Sequence, residues 1–216
     1  MVKIDLRKAR YAQILISRKA IEEDSFNHPI RYVGGVDVAF KSNYSIGAAV
    51  VLSYDDLRVL EKAFYVSEVK VPYIPTYLAF REIRAMIGAV NRLSIKPDIV
   101  LVDAHGKCHP RRAGEATHLG VVLDIPTIGV AKSHLTGKER EDGYIVDNDG
   151  EVLGYHLMPN VYVSVGHRVS LKTAIEIVKK LTVYGVPEPT RQAHIYANEV
   201  KSKLSKILSK GWNAEL

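Results

Sequence analysis

The chain has 216 residues, and 30 Lys and Arg against 24 Asp and Glu give a formal charge of +6. That length predicts one domain spanning residues 1–216, and a 47% hydrophobic share is enough for a core, which excludes a largely disordered chain. The single cysteine, Cys108, excludes an internal disulfide framework; charges at Lys3 and Asp5 interrupt any signal-peptide run, and no stretch nears the roughly 18 apolar residues of a membrane span. A cytoplasmic protein with no membrane attachment is expected. The basic balance suits a polyanionic partner without identifying one.

Leu6, Ala9, Ala12, Ile16 and Ala20 recur at helical spacing and predict an amphipathic helix. Three strand-like runs follow, Tyr32 to Phe40, Ile46 to Tyr54 and Val59 to Val69, with spacers short enough for antiparallel neighbours. Val71-Pro72-Tyr73-Ile74-Pro75 is stiff and extended, because each proline fixes its own φ and biases its predecessor away from helix. Thr76 is the expected N-cap of a helix whose buried stripe is Ala79, Ile83, Met86, Val90 and Leu93. The wholly apolar run Ile99 to Val102 predicts a central parallel strand that stops at Asp103. A loop rich in Gly and His, a short helix from Glu115 to Leu123 and a strand from Thr127 to Ala131 come next. Tyr144 to Val146 and Val152 to Tyr155 read as a hairpin, with a strand at Val161 to Val165. Ser170 caps one further helix, and Pro187-Glu188-Pro189-Thr190 opens the last, with Ala193, Ala197, Val200, Leu204 and Ile207 as its stripe. This order predicts an α/β fold with a mixed sheet flanked by helices, followed by an added C-terminal hairpin and helices.

Several residues stand out against this frame. Asp37 interrupts an apolar strand, either facing solvent or, if buried, needing a partner, a proton or a cation. Asp103 ends the most apolar run, where ligands gather in open α/β sheets, although turn-forming aspartates are common there too. Glu82 lies about 60° round the helix from Ala79, on the rim of its buried face, where pairing with Arg81 or Lys70 is the ordinary account. Convergence of these three acids would raise their pKa values unless a hard divalent cation sat among them. Such a cluster in a basic protein points to phosphodiester chemistry. Lys132 ends its strand as Asp103 ends its own, so it reaches the same edge. The loop from His105 to Gly114, which contains Gly106, His109 and Arg111, offers amides, imidazoles and guanidinium groups to a phosphate or a base edge. A zinc set of His105, Cys108, His109 and His118 matches no common finger or ribbon spacing. Tyr73 sits on a stiff support, where it closes the core edge or acts as a wedge beside nucleic acid.

Taken in order, Gly35-Val36-Asp37-Val38-Ala39-Phe40, Pro72-Tyr73-Ile74-Pro75, Ala79-Phe80-Arg81-Glu82, Asp103 through His109-Pro110-Arg111, and Gly129-Val130-Ala131-Lys132-Ser133 resemble the endonuclease V family, the deoxyinosine 3′ endonucleases. Gly166-His167-Arg168 and Pro187 to Arg191 extend the likeness over nearly the whole chain. The resemblance implies a ribonuclease-H-like fold and a Mg²⁺-dependent nick, with Mn²⁺ as a substitute, at the second phosphodiester bond 3′ of a deaminated purine. It implies Asp37 and Asp103 as metal ligands and Glu82 as the third catalytic acid, with Lys132 and His194 beside them. Tyr73 becomes the wedge, carried by Pro72, Ile74 and Pro75, and the base pocket falls near Gly106, His109 and Gly114. Ala104 stands where the family pattern has glycine. The implied partner is inosine-containing DNA or RNA, with no obligate protein partner. A junction resolvase or transposase-type nuclease of the same fold, and a non-catalytic nucleic-acid-binding module, are the alternatives.

Overall fold

The computed structural model describes residues 4–209. In chain order the elements are α1 (Leu6–Lys19), β1 (Tyr32–Lys41), β2 (Tyr44–Ser53), β3 (Val59–Glu68), α2 (Ala79–Asn91), β4 (Ile99–Val102), α3 (Glu115–Leu123), β5 (Thr127–Ala131), β6 (Lys138–Glu139), β7 (Tyr144–Val146), β8 (Val152–Met158), β9 (Val161–His167), α4 (Leu171–Leu181) and α5 (Glu188–Ser209). The strands form one sheet in the order β3-β2-β1-β4-β5-β9-β8-β7-β6. β1 to β3 are antiparallel, β4 and β5 run parallel to β1, and β9 returns antiparallel to β5. The expected hairpin of β7 and β8 extends this same sheet, with the short β6 beyond it.

Strand alternation divides the core in two. Val33, Ile99, Leu101, Ile128 and Val130 face α4 and α5, packing with Val178, Leu181 and Ala193. Val36, Val100 and Val102 face the other way, onto Met86 and Ala89 of α2 and Leu119 of α3. β4 therefore carries apolar residues on both faces, as a central parallel strand must. The stripe expected for the last helix holds, with Ala193, Ala197, Val200 and Leu204 buried. Gly35 lets α5 sit close to β1: a Cβ there would stand 2.0 Å from the Pro189 carbonyl oxygen.

Two expectations are corrected. Thr76 does not cap α2; Leu78 holds that position without a side-chain cap, and Thr76 has φ +65. On α1 the buried positions are Ala9 and Gln13, while Leu6 remains 44% exposed. The helix meets the protein through a polar contact, from Gln13 to the loop before α2, which apolar spacing does not reveal. Ser170, by contrast, caps α4 as expected, accepting from the Thr173 N–H. Among the described residues no helix is long and apolar enough to cross a membrane. Lys3, one of the charges read against a signal-peptide run, lies outside the described residues.

Candidate active site

The parallel pairing of β1 with β4 sets the centre of the site. Val36 pairs with Val102, and the Asp103 N–H donates to the Val36 carbonyl at 3.0 Å, so Asp37 and Asp103 are the next pair in register. Both lie on the α5 side of the sheet by alternation. There α5 covers Asp37, excluding the solvent-facing reading of that residue. His194 Nδ1 lies 2.8 Å from Asp37 Oδ2, and Asn198, one turn further along α5, reaches the other ring nitrogen at 3.2 Å. Asp37, Asp103 and His194 each bring one ligand atom within 4.8 Å of the others, a set of two carboxylates and an imidazole that fits a divalent cation such as Mg²⁺ or Mn²⁺. Lys132 Nζ donates to Asp103, so Asp103 and Asp37 each have a cationic or proton-donating neighbour. Burial and the nearby Asp103 still push the Asp37 carboxyl up from its ordinary value.

Glu82 arrives from α2, on the opposite face, and is buried rather than on an exposed rim. Arg81 is not its ion-pair partner: its guanidinium donates to the Val71 carbonyl at 2.7 Å and lies over the Phe40 ring. Glu82 instead shares a hydrogen bond with Glu115, at the start of α3, and two carboxyls can do so only by holding a proton between them. Burial, together with Asp37 and Asp103, raises Glu82 to about 7; burial and Glu82 raise Glu115 well above the carboxylate range. Glu115 was missed by sequence reasoning, because an acid in a first helical turn is ordinary there.

These groups line a cavity of about 530 Å³. Of the residues singled out from the sequence, Asp37, Tyr73, Pro75, Glu82, Asp103, His109, Gly114, Lys132 and His194 line it. Pro72, Ile74, Gly106 and Arg111 are not among its lining residues. Gly106 is buried beneath the loop, where a Cβ would come within 2.1 Å of the Val165 carbonyl oxygen. Tyr73 is 67% exposed, which excludes the core-closing role.

The loop that carries Tyr73 is held at one carbonyl. Thr76 O accepts from Gln13 Nε2 at 2.8 Å, from His109 Nε2 at 3.0 Å and from Arg111 Nη2 at 2.7 Å. His109 Nδ1 accepts from the Arg111 N–H, so its proton sits on Nε2; burial, then the Arg111 charge, push its pKa down to about 4 and keep the ring neutral. Arg111 also donates to Thr76 Oγ1 and to Gln13, and lies over the Tyr77 ring. This clamp holds Thr76 in its left-handed conformation, which is unfavourable for a β-branched residue.

The other basic groups of the 105–114 loop are likewise committed within the protein. Lys107 pairs with Glu22 and Glu151, each at 2.8 Å, and Arg112 with Glu151 and Asp147. Their charges pin the loop instead of standing free for a phosphate. Nor do the four candidate zinc ligands assemble: among the described residues the one cluster with metal-binding geometry is Asp37, Asp103 and His194. Cys108 is buried and donates to the Thr136 carbonyl, with burial pushing its thiol up to about 11.

A mixed sheet with neighbouring acids inside β1 and at the carboxyl end of β4, a basic neighbour and a cavity over them defines a ribonuclease-H-like nuclease. The family model for endonuclease V matches residues 15–195. Endonuclease V of Thermofilum pendens is 46% identical over 89% of this chain and 87% of its own length. The crystal structure of endonuclease V from Streptomyces avermitilis superimposes with a TM-score of 0.83 at 34% identity, covering 94% of this chain and 96% of that one. Endonuclease V of Ciona intestinalis, solved in complex with a 23-mer DNA containing an inosine followed by a ribo-adenosine, gives a TM-score of 0.83 at 29% identity, over 94% of this chain and 100% of that one. The chain belongs to the endonuclease V family of nucleases.

Proposed function

We propose that the protein is a Mg²⁺-dependent deoxyinosine 3′ endonuclease that hydrolyses the second phosphodiester bond 3′ of the lesion, leaving 3′-OH and 5′-phosphate ends. The observation that carries this reading is the Asp37–Asp103–His194 cluster, within 4.8 Å, opening onto a cavity rimmed by the exposed Tyr73. Asp37, Asp103 and His194 would hold the cation. When bound, it supplies Lewis-acid charge against the phosphate oxygens and the attacking water. Water adds to phosphorus as the bond from phosphorus to the 3′ oxygen breaks. Lys132 stands beside Asp103 with its side chain 58% exposed, placed to meet a phosphate oxygen. Glu82 holds a proton at its carboxyl up to about pH 7 and lines the same cavity, where it can exchange that proton with a bound substrate. The hypoxanthine base would leave the duplex for the cavity beside His109 and Gly114, while Tyr73 takes its place in the stack. A mispaired base is held less firmly, so its extrusion costs less than that of a normal pair.

The test is to incubate purified protein with matched DNA strands containing inosine or adenine, and with the RNA equivalents, in Mg²⁺ or EDTA, and to map the ends. One Mg²⁺-dependent nick, one nucleotide beyond the inosine's 3′ neighbouring phosphate, is expected. Equal cutting of the adenine strand, or cutting in EDTA, would overturn the reading. Tyr73→Ala should lower the preference for inosine over normal duplex by about tenfold while leaving Mg²⁺ affinity unchanged.

A further inference from the structure

A second cavity, of about 170 Å³, adjoins the first and shares Asp103, Lys132 and His194 with it. Its remaining walls come from elsewhere: Val130 of β5, Asn160 in the β8–β9 turn, and Val186, Pro187, Thr190 and Arg191 where the α4–α5 connection enters α5. Val130 belongs to the apolar face that packs against α4 and α5, whereas Glu82 and Glu115 of the first cavity come from α2 and α3 on the opposite face. Asp103 and His194 of the metal cluster therefore stand where the two cavities meet, while Asp37 lines the first alone. The second is the more apolar of the two, with Val130, Val186 and Pro187 supplying its apolar wall. Its polar residues are largely engaged already, Arg191 with Glu188 at 2.6 Å and Thr190 Oγ1 with the Pro187 carbonyl at 3.0 Å.

A nucleic-acid strand whose scissile phosphate rests on the cluster must continue in both directions. The first cavity takes the lesion side, with Tyr73 at its rim. Cleavage 3′ of the lesion then directs the downstream nucleotide toward the second cavity. We propose that this second cavity is the subsite for the nucleoside immediately 3′ of the scissile phosphate, with its base against Val186 and Pro187. The assignment rests on the function proposed above. It also gives a physical reason for a cut displaced from the lesion: two separated recognition sites bracket the cluster, and the strand between them sets where the phosphate falls. An apolar wall reads the base by its face and carries no hydrogen-bond code, so the subsite tolerates all four bases.

The experiment uses two inosine duplexes that differ only in the nucleotide 3′ of the scissile bond, either normal or a tetrahydrofuran abasic analogue. Wild-type kcat/KM should fall about tenfold when that base is removed. Val186→Trp, which fills the cavity, should bring the normal duplex down to the wild-type abasic level and leave the abasic rate unchanged. Val186→Ser, a milder change, should cost about threefold on the normal duplex alone. A wild-type enzyme indifferent to the missing base, or Val186 variants slowed equally on both duplexes while keeping their melting temperature, would overturn the subsite. A wild-type enzyme that leaves both inosine duplexes uncut refutes the proposed function itself, and the subsite falls with it.

Discussion

The site contains two pairs of acids that solve the same problem differently. Asp37 and Asp103, from neighbouring strands, each have a partner that offers positive charge or a proton: His194 for one and Lys132 for the other. Glu82 and Glu115, from the two helices on the opposite face, are hydrogen-bonded to each other through a shared proton. The first pair lines the larger cavity, where its oxygens remain available to a cation. The second is withdrawn from solvent, with Glu82 8% and Glu115 5% exposed. The contrast shows that four converging carboxyls need not make four ligands: a cation is called for where ionised acids converge, whereas burial favours protonation.

Breaking the first pair should have the largest effect. Asp37→Ala or Asp103→Ala should lower kcat by on the order of 10³ or more and abolish Mn²⁺ binding measured by electron paramagnetic resonance, with duplex binding largely kept. His194→Ala leaves both carboxylates in place, so it should weaken Mn²⁺ binding by about tenfold to a hundredfold without abolishing it. If His194→Ala matched Asp37→Ala, the imidazole would rank with the carboxylates.

The second pair makes a pH signature in the metal-free protein. A Glu82 carboxyl at about 7 when folded and near its ordinary value when unfolded binds more protons in the native state between those values. Stability must therefore fall as pH rises from about 4.5 through about 7, by on the order of 2 kcal/mol from Glu82, and the raised Glu115 carboxyl acts in the same direction. Glu82→Gln should flatten that fall, as urea melts in EDTA at pH 5 and pH 8 will show. A smaller effect belongs to the clamp on the Tyr73 loop: Arg111→Met keeps much of the side chain's length but loses the bonds to Thr76 and Gln13. It should cost about 1–2 kcal/mol of stability and raise KM for the inosine duplex more than it lowers kcat, readable from melts and steady-state rates together.

The elements other than the two-residue β6 were legible in the chain because each rests on local pattern. The apolar run Ile99 to Val102 needs burial on both faces, Ser170 caps its own helix, and the small Ala193 and Ala197 with Gly35 already mark a close helix–strand approach. Gln13 left a trace too, a polar residue four positions after the buried Ala9. Thr76 misled, since a good capping residue after proline can serve a different turn.

What the amino-acid order determined by itself was the helices, the strands other than the two-residue β6, and the placing of Asp37 within one strand and of Asp103 and Lys132 at the ends of two others, because propensity and periodicity act within a few residues. What only the tertiary structure decided was which charges face which. The partners of Arg111, Lys107 and Arg112 lie on α1 and on loops distant in sequence, and the meeting of Glu82 with Glu115 requires two helices to pack on one sheet face. Electrostatic and hydrogen-bond partners are chosen by distance in space, and that distance exists only after the sheet has assembled.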